Sequence, residues 1–241
     1  MTKPQFLGDL AYHHIPGTLP GVLWLGGFRS DMSGTKAVHL EKFCQDGGQQ
    51  FTRFDYRGHG QSGGRFEDLT LSGWLGDATA VLDRVTSGPQ VLVGSSMGGW
   101  LALLLAQKRK ERVHSLVLLA PAPDFTRDIR AQLSEENKNA LIKDGFFEAP
   151  SAYGPPYQIT AQLLEDGENH ILLDGDTGIT CPVTILHGQA DPDVPWKKSV
   201  RLKECLPQAQ VNINFIPDGD HRLSRSQDLD ALTAAVARSI A

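Results

Sequence analysis

The strongest constraint on the fold is a rhythm: short, β-branched apolar runs alternate with amphipathic segments of three to four turns along most of the chain. "GVLWLGG" (residues 21–27) reads as a buried strand stopped by glycines, and "AVHLEKFCQDG" (37–47) as an amphipathic helix ended by glycine. "QFTRFDYRGHG" reads as a strand entering a loop, residues 71–86 as a helix, and "PQVLVGS" as a second buried strand. A helix over about 97–110 and the strand in "RVHSLVLLAPA" follow. Further on, "CPVTILHG" and "QVNINFIPDGDH" supply strands, while "PWKKSVRLKECL" and "SQDLDALTAAVARSI" supply helices. Apolar strands joined by helices require a mostly parallel sheet with helices on both faces, an α/β architecture.

Length sets the number of units. The chain has 241 residues, within the range of one α/β core, so residues 1–241 are expected to form a single domain. The rhythm weakens over residues 121–180, which hold one helix signal, "LSEENKNALIKDG", with Ser134 as its cap and Asn137 three positions on. Phe125, Phe146, Phe147, Tyr153 and Tyr157 and a "YGPP" turn also fall there. A long insertion directly after a strand is expected to be a small cap or lid.

At the centre of the rhythm stands "VLVGSSMGGWLALLLA" (91–106). The pattern G-x-S-x-G fits only with Ser96 at its centre, because Ser95 would need glycine at Val93 and Met97. A serine at the apex of a tight strand-to-helix turn leaves no room for side chains two residues away on either side, and Gly94 and Gly98 have no Cβ.

A nucleophilic serine needs a base, and an acid behind the base. Asp191 falls in the loop after "CPVTILHG", and His221 in the loop after the next strand. The chain order Ser96, Asp191, His221 suits side chains carried on successive carboxyl-end loops of one sheet. Asp193 is a rival for the acid, whereas Asp218 and Asp220 lie too close to His221 in sequence to be favoured. His187 reads as a structural loop histidine, and His13, His14, His39, His59, His114 and His170 lack comparable strand-end partners. Two backbone amides complete the expected machinery: Met97, at a helix start, and Phe28, in the glycine-rich loop after the first central strand. Trp100, Trp196, Phe146 and Phe147 are candidates for an apolar substrate pocket.

Other classes are disfavoured. With 28 Asp+Glu against 23 Lys+Arg and a single basic cluster, "KRKER", a net charge of −5 makes no case for nucleic acid. Neither HExxH nor a His/Cys ligand cluster appears, so no metal and no cofactor is expected. No stretch reaches the roughly 18 apolar residues that span a bilayer. Cys44, Cys181 and Cys205 are odd in number and widely spaced, and the N-terminus has no signal- or transit-like segment, so a cytoplasmic location is expected. Oligomeric state is not legible.

On "GGFRSDMSGTKA", "FTRFDYRGHGQSGG", "GPQVLVGSSMGGWLALLLA", "LHGQADPDVPW" and "DGDHRLS", the chain resembles the α/β-hydrolase superfamily essentially end to end. Within it, the chain is similar to bacterial relatives of a mitochondrial abhydrolase-domain palmitoyl-protein thioesterase and mycophenolic acid acyl-glucuronide esterase. The resemblance implies a nucleophile at Ser96, an acid at Asp191 and a base at His221. It also implies carboxylesterase or acyl-thioesterase activity, and a structural turn at Asp55, Tyr56, Arg57 and Gly58; the aromatics of residues 121–180 with Trp100, Trp196 and Phe28 favour a small-molecule substrate with an apolar acyl group. A noncatalytic ligand-binding protein of the same fold, a C–C hydrolase and a perhydrolase are the alternatives.

Overall fold

The computed structural model describes residues 3–150 and 156–241. The chain opens with an antiparallel pair, β1 (Gln5–Leu7) and β2 (Leu10–Ile15), which sequence periodicity does not announce. The expected alternation then runs through β3 (Thr18–Leu25), α1 (Thr35–Asp46), β4 (Gln49–Phe54), α2 (Leu71–Arg84), β5 (Gln90–Ser95), α3 (Met97–Lys108) and β6 (Val113–Leu119). After an irregular interval it resumes with β9 (Val183–Gly188), α7 (Lys197–Glu204), β10 (Val211–Ile216) and α8 (Ser226–Ile240). The eight-stranded sheet has the order β1-β2-β4-β3-β5-β6-β9-β10 and is parallel from β4 to β10.

Strand alternation divides the core into two layers, as the two-residue period of a strand requires. Leu23, Leu25, Leu92, Leu116, Leu118 and Ile185 face α2 and α3 through Trp74, Leu82, Leu101 and Leu105. Val22, Trp24, Val91, Val93, Val117 and Leu119 face α1 and α8 through Leu40, Cys44, Leu232 and Val236. A sheet covered on both faces exposes only its strand ends, and there the functional loops emerge.

Between β6 and β9 the structure holds α4 (Phe125–Ala131), α5 (Glu135–Asp144), β7 (Phe146–Ala149), β8 (Tyr157–Thr160) and α6 (Ala161–Gly167). The Ser134 hydroxyl accepts the Asn137 amide at 3.1 Å, the cap read from sequence. The antiparallel β7–β8 pair, with Phe147 opposite Ile159, is absent from that reading because four-residue strands carry too little periodicity. Tyr153, Gly154 and Pro155 of the expected "YGPP" turn lie outside the described residues. Asp124 ties the ends of this segment together: its buried carboxylate accepts the Leu172 and Leu173 amides, both at 2.9 Å.

Candidate active site

Ser96 sits between β5 and α3 at φ 55, ψ −118, a strained conformation for a side-chain-bearing residue. The crowding that demands the flanking glycines is measurable. A Cβ on Gly94 would lie 2.3 Å from the Gly98 carbonyl oxygen, and one on Gly98 would lie 2.1 Å from the Leu25 carbonyl oxygen. Both obstacles are backbone and cannot rotate away. Gly98→Ala is therefore expected to lower stability by about 1–3 kcal/mol, the range of overpacked cores, with a matching shift of the urea midpoint.

The loops that carry Asp191 and His221 are joined through their backbones. The Gln189 amide donates to the Ile216 carbonyl at 2.9 Å and the Ala190 amide to the Gly219 carbonyl at 3.0 Å. A Cβ on Gly188 would stand 2.2 Å from the Gly219 oxygen, so only glycine lets the two loops approach this closely. In consequence the three predicted side chains meet. The His221 Nδ1–H donates to Asp191 Oδ2 at 2.8 Å, and His221 Nε2 is 3.1 Å from Ser96 Oγ.

Asp191 is more heavily supported than its sequence context suggests. Its side chain has no exposed surface, and Oδ1 accepts the Asp193 and Val194 amides, each at 2.8 Å. His187 lies behind it: Nε2–H donates to the Val194 carbonyl at 3.0 Å and stands 3.4 Å from Asp191 Oδ2, while Nδ1 accepts the Ser199 hydroxyl at 2.7 Å. Burial works against the charged carboxylate, but hydrogen bonds from His187, His221 and the Val194 amide outweigh it and hold Asp191 well below the usual carboxylate range. A depressed folded-state value stabilises the fold above the unfolded carboxylate value of about 3.9, and that stability is lost as pH falls toward the folded value. The stability gap between wild type and Asp191→Asn is accordingly expected to narrow below about pH 4 in urea titrations at stepped pH.

The rivals have other partners. Asp193 is exposed, Asp218 pairs with Arg225 at 2.7 Å, and Asp220 accepts the Leu223 amide at 3.0 Å. His14 bonds Thr52, His39 bonds Thr233, and His170 bonds Ser72. Asp191, Asp193 and His221 do present ligand atoms within 4.8 Å of one another. A cation there would compete with the hydrogen bond that orients the imidazole.

The loop after β3 runs beside Ser96: a Cβ on Gly27 would lie 3.4 Å from Ser96 Cβ. Among the described residues, the amides of Phe28 and Met97 donate to no protein acceptor. The loop is held by Asp55, whose Oδ1 accepts the Met32 amide at 2.6 Å, and by Arg53, whose Nη1 donates to the Met32 carbonyl at 2.8 Å. Asp55 Oδ2 also accepts the Gln61 amide at 2.8 Å, and Arg57 pairs with Asp77 at 2.7 Å, so residues 55–58 form a braced turn beside that loop.

The pocket candidates separate. Trp100 is fully buried, donates Nε1–H to the His170 carbonyl at 2.9 Å and packs edge-on to Phe125. Trp196 packs on Phe215 of the edge strand β10. An aromatic wall centres on Phe28, which follows Gly27 in the loop that passes Ser96, and its ring meets Phe66, Trp74, Phe125 and Tyr157 at centroid distances of 4.9 to 5.7 Å. Phe147 and Tyr157 line a cavity of about 190 Å³ with Ile129, Leu133, Ala149 and Ile159, and Phe146 is half-buried on the same strand.

A parallel sheet whose elbow serine meets a histidine and an aspartate from two later strand-end loops defines a class, and residues 15–235 match the alpha/beta hydrolase family. The chain belongs to that family. It is 36% identical over 232 residues to the mouse protein named palmitoyl-protein thioesterase ABHD10, mitochondrial, covering 95% of this chain and 78% of the relative. The solved structure of mouse alpha/beta hydrolase domain-containing protein 10 superposes with a TM-score of 0.91 at 35% identity, covering 98% of each chain. A hydrolase from Agrobacterium vitis S4 superposes with a TM-score of 0.92 at 44% identity, covering 100% of this chain and 97% of that one.

These relatives overturn the expected cytoplasmic location, because the curated proteins that match 95–98% of the chain are named as mitochondrial. Cys44, Cys181 and Cys205 are all free, and free thiols do not distinguish one compartment from another. No helix among the described residues is long and apolar enough to cross a membrane.

Proposed function

We propose that the protein is a serine hydrolase of carboxylic esters or acyl thioesters, acting through Ser96, His221 and Asp191 and an acyl-enzyme intermediate. The carrying observation is the continuous relay in which His221 bridges Ser96 at 3.1 Å and Asp191 at 2.8 Å. Ser96 Oγ attacks the acyl carbonyl carbon while its proton passes to His221 Nε2. The Phe28 and Met97 amides take the developing oxyanion, each worth about 3–4 kcal/mol if it behaves as other oxyanion donors do. Collapse breaks the bond to the alcohol or thiol, which leaves with the proton held by His221. Water, deprotonated by the same nitrogen, then releases the acid and frees Ser96.

The relatives' thioesterase name supports the thioester branch. The largely apolar cavity between α4 and the β7–β8 pair, lined by Tyr157 whose ring packs on Phe28, supports an apolar acyl group on a small-molecule substrate. Residues 121–180 would then act as the cap over that acyl group, within one domain. A panel of p-nitrophenyl esters and acyl-CoAs of increasing chain length, run beside fluorophosphonate labelling, tests the reading. Turnover of at least one ester or thioester series with stoichiometric labelling is expected; folded protein that neither turns over nor labels would overturn it.

A further inference from the structure

The turn that carries the Phe28 amide is strained in a way its own residues do not explain. It spans Gly27 to Ser30, closed by the Ser30 amide donating to the Gly27 carbonyl at 3.1 Å. Its third residue, Arg29, has φ 57, while Phe28 does not share the positive φ. A turn with positive φ only at the third position ordinarily takes glycine there, because a Cβ disfavours that conformation.

The Arg29 guanidinium lies over the Phe66 and Tyr157 rings at 5.2 and 5.0 Å, and His59 supports the backbone itself. The Arg29 N–H donates to His59 Nε2 at 3.1 Å, and His59 Nδ1–H donates to the Arg57 carbonyl at 3.2 Å. The second bond fixes the tautomer, leaving Nε2 as an acceptor. The ring is 4% exposed and lies edge-on to Tyr56, Phe66 and Trp74 at 5.2 to 5.6 Å. Burial pushes the imidazole down to about 4, so it is neutral and keeps that lone pair near neutral pH. In this turn the peptide between the second and third residues is flipped relative to the commoner type, which directs the Arg29 N–H outward, to His59.

We infer that His59 is a positioning residue for the oxyanion hole: by accepting the Arg29 amide proton it holds the Phe28–Arg29 peptide flipped and so keeps the adjoining Phe28 N–H aimed at the Ser96 site. The inference rests on the proposed role of the Phe28 amide. Without the acceptor, Arg29 relaxes to negative φ and its peptide rotates, and a displacement of about 1 Å at such a donor costs on the order of 10²-fold in rate.

The test uses kcat per fluorophosphonate-titrated site. His59→Phe keeps the ring packing and removes both nitrogens, whereas His59→Gln keeps an acceptor able to reach Arg29. His59→Phe is expected to lower kcat by about 10- to 100-fold with KM within about twofold. It should weaken an aryl trifluoromethyl ketone, which adds to serine as an oxyanion, by a similar factor, and leave the matching methyl ketone unaffected. His59→Gln should recover most of the loss, as should Arg29→Gly in the His59→Phe background, because glycine takes φ 57 unaided. If His59→Phe does not fold, His59→Asn decides, since its amide can replace the bond to Arg57 but falls short of Arg29; it is expected to lose kcat as Phe does. Wild-type kcat in the Phe or Asn variant overturns the inference, as does a loss that follows melting temperature and is not rescued by glutamine. A wild-type protein inert to ester, probe and ketone overturns the hydrolase reading itself.

Discussion

Ser96→Ala is expected to lower ester and thioester turnover by about 10⁴-fold or more and to abolish fluorophosphonate labelling, with no loss of melting temperature. The size follows from the chemistry. On the proposed mechanism, removing Oγ removes the atom that would form the acyl bond, while the Phe28 and Met97 amides would remain and sustain only the residual rate that binding and charge stabilisation provide. The fold should tolerate the change, because the demanding feature of the elbow is its backbone at φ 55, which alanine occupies no worse than serine. Ser95 is the matched control: it ends β5 and is buried, so Ser95→Ala should label like wild type. Full activity in the Ser96 variant would move the nucleophile elsewhere.

Asp191→Asn is expected to lower kcat by about 10⁴-fold, whereas Asp193→Asn should change it only a few-fold. The asymmetry lies in what each oxygen touches. Asp191 Oδ1 is committed to the Asp193 and Val194 amides, so an asparagine keeps its carbonyl there and turns its NH₂ toward His221 Nδ1. That forces the imidazole to carry its proton on Nε2, where it cannot accept the proton of Ser96. Asp193 is exposed and bonds to Asp191 through its backbone amide, which asparagine preserves. Near-equal losses in the two variants would mean that the loop acts through its fold and not through one carboxylate. Measuring kcat and melting temperature on the same preparations separates these outcomes.

The two substitutions mark how far the residues alone carried the argument. Ser96 was selected by local covalent geometry: the elbow admits side chains only where the backbone leaves space, and the glycines at 94 and 98 record that space directly. Asp191 and Asp193, two positions apart in one loop, were separated only by the path of the chain. Loop direction decides which carboxylate turns inward, and that direction depends on the bonds from Gln189 and Ala190 to the neighbouring loop. The same division bears on the tryptophans. Trp100 and Trp196 have the chemistry of pocket residues, but Trp100 points to His170 and Phe125, and Trp196 to Phe215.

His187 and His59 show what the linear pattern could not contain. Each is a buried hydrogen-bonding partner whose value lies in a contact across the fold: His187 with Ser199 twelve residues on, and His59 with Arg29 thirty residues back. A faint signal existed for both, since "ILHG" and "RGHG" place a histidine at a strand end or in the turn just after one, where burial is expected. Short-range periodicity fixed the two-faced parallel sheet, because strand and helix periods are set by local backbone geometry and apolar burial. The orientation of Asp191, the bracing of the loop at Phe28 and the aromatic wall around that ring were decided only in three dimensions, because hydrogen bonds and ring contacts between distant loops depend on how those loops leave the sheet.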